Sequence, residues 1–145
     1  MSTPHQIINP ATLAEPVGFA HAVEAAAGRT IYLGGQAAHD RDGRIVGASM
    51  AEQFDRAAAN VVTALEGAGA RAEHLVSLQI YVTDVAEYRD ALDDLATAYK
   101  RSFGRHYPAI ALFEVAGLFD PDAKVELVCI AVVPDDDPTY RARER

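Results

Sequence analysis

Between His106 and Pro134 the chain reads HYPAIALFEVAGLFDPDAKVELVCIAVVP, and no other stretch constrains the fold as much. Two mostly apolar runs, Ala109 to Leu118 and Lys124 to Val133, flank Phe119-Asp120-Pro121-Asp122-Ala123, where a proline and two aspartates favour a turn and break a helix. The pattern predicts two strands joined as a hairpin in the centre of a sheet. Glu114 and Glu126 stand inside these runs. A carboxylate among apolar strand neighbours has to be hydrogen-bonded, paired or put to use.

What the two strands can belong to is bounded by length and charge. A chain of 145 residues, half of them apolar, fits one domain with a real core, read here as residues 1–134 followed by a polar tail, 135–145. The net charge is −8 and the only basic cluster is the tail Arg141-Ala142-Arg143-Glu144-Arg145, so the phosphate-neutralising surface that nucleic acid requires is absent. The N-terminus lacks the basic start and apolar run of a signal peptide, and nowhere do ~20 apolar residues follow one another, so neither secretion nor a membrane is expected and the cytoplasm is the default. The single Cys129, inside the last strand, reads as a packed thiol.

In chain order, His5 to Ile8 suggests a short edge strand. Phe19 to Ala26 and Thr30 to Ala37, separated by Ala27-Gly28-Arg29, read as a hairpin. Gly34-Gly35 in its second strand marks either a bulge or a close approach by another group. His39-Asp40-Arg41-Asp42-Gly43 has turn chemistry rather than the full ligand spacing of a calcium loop. Ser49 and Glu52 form a capping box, and Phe54, Ala57, Ala58, Val61, Val62 and Leu65 recur at helical steps until Gly67 and Gly69. Val76, Leu78, Ile80 and Val82 alternate with Ser77, Gln79, Tyr81 and Thr83, the period of a strand with one face in the core. A second helix is predicted from Val85 to Phe103, stopped by Gly104.

The order β-β-β-α-β-α-β-β gives an α+β fold with one mixed sheet and two helices on one of its faces. The opposite face must then be solvated or buried by another subunit, and a closed cyclic oligomer satisfies it.

Several short motifs carry a resemblance to a known family. Pro108-Ala109, Lys124-Val125-Glu126-Leu127, Ile31-Tyr32-Leu33-Gly34-Gly35-Gln36, Gln53, Asn60, Ala68-Gly69 and Tyr81-Val82-Thr83-Asp84 resemble the Rid family, the reactive-intermediate deaminases, in one register from about Phe19 to Val133. The resemblance implies a chorismate-mutase-like fold, a homotrimer, clefts between subunits, and hydrolysis of enamines and imines made from amino acids. It also exposes departures. Where the archetypal members have an arginine after Pro-Ala this chain has Ile110, which cannot make forked, charge-assisted bonds to a substrate carboxylate. The family tyrosine falls at Phe19 and the serine before Gly-Gln at Gly34.

Glu126 survives, and in the family it is associated with the water that attacks the imine carbon, a general acid/base role. Its alternative is a carboxylate that only holds an interface or loop. His21, two residues after Phe19 on the same strand face, is expected to point toward the same cleft, as proton carrier or as interface histidine. The expected pocket comprises Phe19, Gly34, Gly35, Gln36, Tyr107, Ile110 and Leu112, with Glu126 and His21 as the proton-handling pair. Gln36 and Tyr107 could equally satisfy backbone groups. The five histidines show no paired metal-ligand spacing, and no cofactor motif appears, so neither a metal nor a cofactor is expected. The sequence thus carries two functional readings: a Rid-like hydrolase of a small enamine, imine or related metabolite that is not an archetypal 2-imino acid deaminase, or a noncatalytic trimeric module that binds a small molecule.

Overall fold

A computed structural model describes residues 2–138. The strands are β1 (Gln6–Ile8), β2 (Ala22–Glu24), β3 (Gly28–Tyr32), β4 (Leu75–Val82), β5 (Ala109–Glu114) and β6 (Val125–Pro134); the helices are α1 (Met50–Gly67), α2 (Val85–Asp90) and α3 (Leu92–Phe103). The main sheet has the order β3-β6-β4-β5, and β1 with β2 forms a separate two-stranded ribbon.

Two pairings differ from the sequence reading. The closing strands are not a hairpin. β5 lies parallel to β4 at the sheet edge, while β6 lies antiparallel to both β3 and β4 in the middle. The helical crossover after β4 delivers β5 to one side of that strand, and the long connection 115–124 lets β6 cross to the other. Nor do the strands around Ala27-Gly28-Arg29 pair with each other. β2 pairs with β1, which frees β3 for β6.

The helix from Ser49 follows its sequence signals. Ser49 Oγ accepts from the Glu52 N–H at 3.1 Å, and Glu52 Oε1 accepts from the Ser49 N–H at 3.3 Å. At the other end Gly69 takes φ +77, and the Ala70 N–H reaches back to the Leu65 carbonyl at 2.8 Å, closing a Schellman-type cap. Met50, Phe54, Ala57, Ala58, Val61 and Leu65 are buried against Leu78, Ile80, Leu127 and Cys129 of the sheet. Each of the larger of these side chains contributes about 1.5–3 kcal/mol by leaving water. Burial drives the Cys129 thiol up to about 12, so it is packed and inert.

The second helix is two helices. The chain breaks at Ala91 (φ −106, ψ 15), whose N–H turns back to the Tyr88 carbonyl. Asp93 and Asp94 then occupy the first turn of α3, where acidic side chains favour a fresh N-terminus.

Buried polar side chains fasten the loops to this core. Gln53 Nε2 donates to the Gly47 and Asp122 carbonyls while its Oε1 accepts from the Lys124 N–H. Asn60 Nδ2 donates to the carbonyls of Ala37 and His39. His5 Nδ1 accepts from the Ala26 N–H, which assigns the proton to Nε2 for the carbonyls of His74 and Val132. His74 Nδ1 accepts from the Arg71 N–H and Nε2 meets Asp137 Oδ2 at 3.2 Å, so the start of the polar tail is docked; residues 139–145 lie outside the described residues. Asp40 Oδ1 takes the N–H groups of Asp42 and Arg44 around Gly43 at φ +81, the predicted turn. Its carboxyl is held below the usual range first by the Arg44 N–H.

Candidate functional site

The strand alternation sorts the chemistry onto two sides of the sheet. Leu78, Ile80, Leu127 and Cys129 point under the helices, so Ser77, Gln79 and Tyr81 of β4 and Glu126, Val128 and Ile130 of β6 point the other way. Both α1 and α3 cover the first face. On the second, Tyr32 remains 76% exposed and Phe113 46%.

Glu126 sits on this uncovered face opposite Tyr81 in the β4–β6 register. Its carboxylate has no hydrogen-bond or ion-pair partner among the described residues. Space for it comes from Gly35, where a Cβ would stand 2.5 Å from Glu126 Oε2. The backbone explains the approach. Tyr32 pairs with Ile130, but Gln36 pairs with Leu127 through two hydrogen bonds of 2.8 Å, so the glycine segment contains one extra residue, a β-bulge. Gly34-Gly35 is therefore both a bulge and a close approach. The Gln36 amide turns back onto the Gly34 carbonyl at 3.2 Å. Gly34, Gly35, Gln36 and Glu126 form one cluster.

Phe19, His21 and Ile110 form another, around a cleft of about 380 Å3 that Ser77 and Gln79 also line. Ala20 bridges to Ala109 at the β5 edge, its N–H donating to the Pro108 carbonyl, and this holds Phe19 beside β5. The Phe19 and His21 rings meet edge to face, 5.1 Å between centroids. His21 Nε2 faces the Ala14 carbonyl at 2.7 Å as donor, which leaves Nδ1 as the nitrogen able to accept a proton. The Tyr81 hydroxyl donates to Gln79 Oε1 at 2.6 Å, orienting the amide of Gln79. Ser77 and Gln79 are site residues that the sequence reading did not select. Their alternation with Leu78 and Ile80 was visible, but it pointed equally to any partner surface.

Leu112 packs with Ile110 against the helix-side core, and Tyr107 stacks on Tyr99, 5.0 Å apart and 9° from parallel. Within one protomer Glu126 and Ile110 stand on opposite faces, two strands and three register positions apart, a separation above ~10 Å. The two clusters are therefore not one site within a single subunit. Among the described residues no group of three or more His, Cys, Asp or Glu side chains could hold a metal, and no helix is long and apolar enough to cross a membrane.

Residues 11–133 match the family described as Endoribonuclease L-PSP, which covers both clusters and the main sheet up to Val133. The chain belongs to the Rid family. Among Rid relatives, the RutC family protein UK114 of Drosophila melanogaster is 31% identical over 129 residues, 88% of each chain. The crystal structure of the Rid protein YyfB from Yersinia pestis, described as of unknown function, superposes with a TM-score of 0.81 at 30% identity, over 89% of this chain and 98% of that one. A Mycobacterium tuberculosis member of the YjgF/YER057c/UK114 family gives 0.61 at 28% identity, over 81% and 88%. The mixed sheet with its helices on one face is thus the Rid fold, and Rid membership supports a small-molecule-processing role.

Proposed function

We propose that this Rid protein hydrolyses a small reactive enamine or imine in a cleft completed between subunits of a homotrimer. The observation that carries the reading is Glu126, an unpartnered carboxylate on the uncovered sheet face, with room made for it by Gly35. An enamine first takes a proton on carbon and gives one up from nitrogen, becoming the imine. Water then adds to the imine carbon, giving a proton to Glu126 and one to nitrogen. Return of the proton from Glu126 lets the C–N bond break, releasing the amine and leaving a carbonyl. The separation of Phe19, His21 and Ile110 from Glu126 in one protomer supports the intersubunit cleft, because only a second copy can bring the clusters together.

A second reading, a noncatalytic trimeric binding module, is favoured by one observation. Phe19 brings a phenyl ring to its cleft and the Ile110 side chain packs toward the helix-side core, so neither can hold a substrate's acid group. Glu126→Gln separates the two, since it keeps size and removes the titrating proton. Hydrolysis expects loss of turnover of a neutral or aromatic enamine by about 10²–10⁴ with unchanged melting temperature and assembly. Turnover that survives this change but disappears in His21→Ala passes the proton role to the histidine. Dissociation of the assembly by Glu126→Gln, with no substrate found, favours the binding module.

A further inference from the structure

Val17, Gly18 and Tyr107 form the shared wall of two adjoining cavities, of about 530 and 720 Å3, volumes in the range of small-molecule sites. The smaller is aromatic: Phe54, Tyr88, Tyr99 and Tyr107 line it with Leu92 and Leu95. The Tyr99 hydroxyl is already spent on the His106 carbonyl at 2.7 Å, so that wall offers its ring and not its oxygen. Four charged side chains line the pair of cavities, Arg105 and Glu15 in the larger, Lys100 and Asp93 in the smaller.

None of the four has an ion-pair or side-chain hydrogen-bond partner among the described residues. Two unpaired charges of each sign beside an aromatic cavity complement a ligand that carries both signs and a ring. A monoanion would face Glu15 and Asp93 uncompensated, and a monocation would face Arg105 and Lys100. A neutral ring would engage none of them.

We infer that these joined cavities bind an aromatic zwitterion of the amino-acid type, its ring among the tyrosines, its carboxylate on the fork of Arg105 and its ammonium on Glu15. The inference goes beyond the hydrolytic reading, because binding here requires neither turnover nor Glu126.

The chain has six tyrosines and no tryptophan, and three of the six line the aromatic cavity, so intrinsic tyrosine emission reports on its occupancy. The test titrates the intact protein with L-phenylalanine, 3-phenylpropionate and 2-phenylethylamine, by calorimetry and by emission. Phenylalanine is expected to bind and change the emission, with each singly charged analogue about tenfold weaker or worse. Arg105→Gln should weaken phenylalanine and 3-phenylpropionate but not 2-phenylethylamine; Glu15→Gln should do the converse. Both side chains are at the surface, so melting temperatures should not move. Equal affinity for the three probes, phenylalanine binding that neither variant weakens, or no heat and no emission change at millimolar phenylalanine would each overturn the inference.

Discussion

On the helix side of the sheet, Leu78, Ile80, Leu127 and Cys129 are sealed beneath α1 and α3; on the other side Ser77, Gln79, Tyr81 and Glu126 face outward beside exposed Tyr32 and Phe113. The same strands supply both sets, one residue apart. The covered side holds a subunit together through packing, where each atom has a neighbour and chemistry has no room. The uncovered side leaves its carboxylate unpartnered and its aromatic surface without a second layer. In the proposed assembly this is the surface that another copy would complete.

The sharpest way to break this contrast is to place a charge on each kind of surface in turn. Ile130→Asp puts an unpaired carboxylate on the uncovered face, and the expected outcome is loss of the trimer at micromolar concentration by light scattering, with the subunit still folded by circular dichroism. A wild-type protein that is already monomeric at that concentration sinks the assembly proposal itself.

A second test concerns Ile110, whose side chain packs with the covered side. Small 2-imino acids such as the one derived from alanine need a cation for their carboxylate, and the missing pair of charge-assisted bonds is worth about 3–6 kcal/mol. Hydrolysis of that imine, generated in situ and followed by semicarbazide trapping, should be slower by orders of magnitude than in an archetypal Rid deaminase. A comparable rate would mean that another cation, such as Arg105, holds the acid group.

Leu127→Ala, next to Glu126 in sequence but on the opposite face, should cost about 2–5 kcal/mol in denaturant titration and leave the state of assembly unchanged in the absence of denaturant. If it were neutral, the covered face would be less tightly packed than its burial indicates. Gly35→Ala tests the neighbouring carboxylate more gently. A Cβ 2.5 Å from Glu126 Oε2 must displace that side chain, so turnover should fall while the melting temperature changes by a few degrees at most.

The smallest effect expected is on pH dependence. Burial pushes the His74 and His106 imidazoles below their ordinary value near 6.5, at His74 against the opposing pull of Asp137. The unfolded chain then binds more protons than the folded one as pH falls through ~6.5. Their contribution is therefore complete above that pH and is lost below it, toward the lowered folded values. Denaturant midpoints at pH 7.5 and 5.5 should show a decline. A midpoint independent of pH over that range would contradict the neutral, backbone-tied state of both rings.

Much of this architecture was legible in local chemistry. The capping box at Ser49 and Glu52, the positive-φ stops at Gly69 and Gly104 and the Asp40 turn each depend on a few adjacent residues. So does the two-residue period through Leu78, Ile80 and Val82 that places Gln79 and Tyr81 opposite the core; Val76, expected on the core face, yields that place to Leu75 because the register shifts between Leu75 and Ser77. The Rid resemblance also followed from short motifs, and Gln53 and Asn60 within it turn out to fasten loops to α1 through backbone carbonyls. Strand partnership was another matter. Apolar runs on either side of Phe119-Asp120-Pro121 predicted a hairpin, yet β4 lies between β5 and β6, because pairing depends on which edge a crossover leaves open and no local pattern records that. The break at Ala91 was missed because the apolar spacing continues through it.

The sequence by itself determined which residues of β4 and β6 share a face, where the first helix begins and ends, and that a glutamate stands among apolar neighbours at Glu126, since these follow from periodicity and capping within a few residues. Only the tertiary structure decided that Gly35 lies under that carboxylate, that Phe19 and His21 meet Ile110 at the far edge of the sheet, and that the two groups stay apart within one protomer. Those relations join residues distant in the chain, and they are set by strand order and by one extra residue in a bulge, which shift side chains in space without leaving a periodic mark in the sequence.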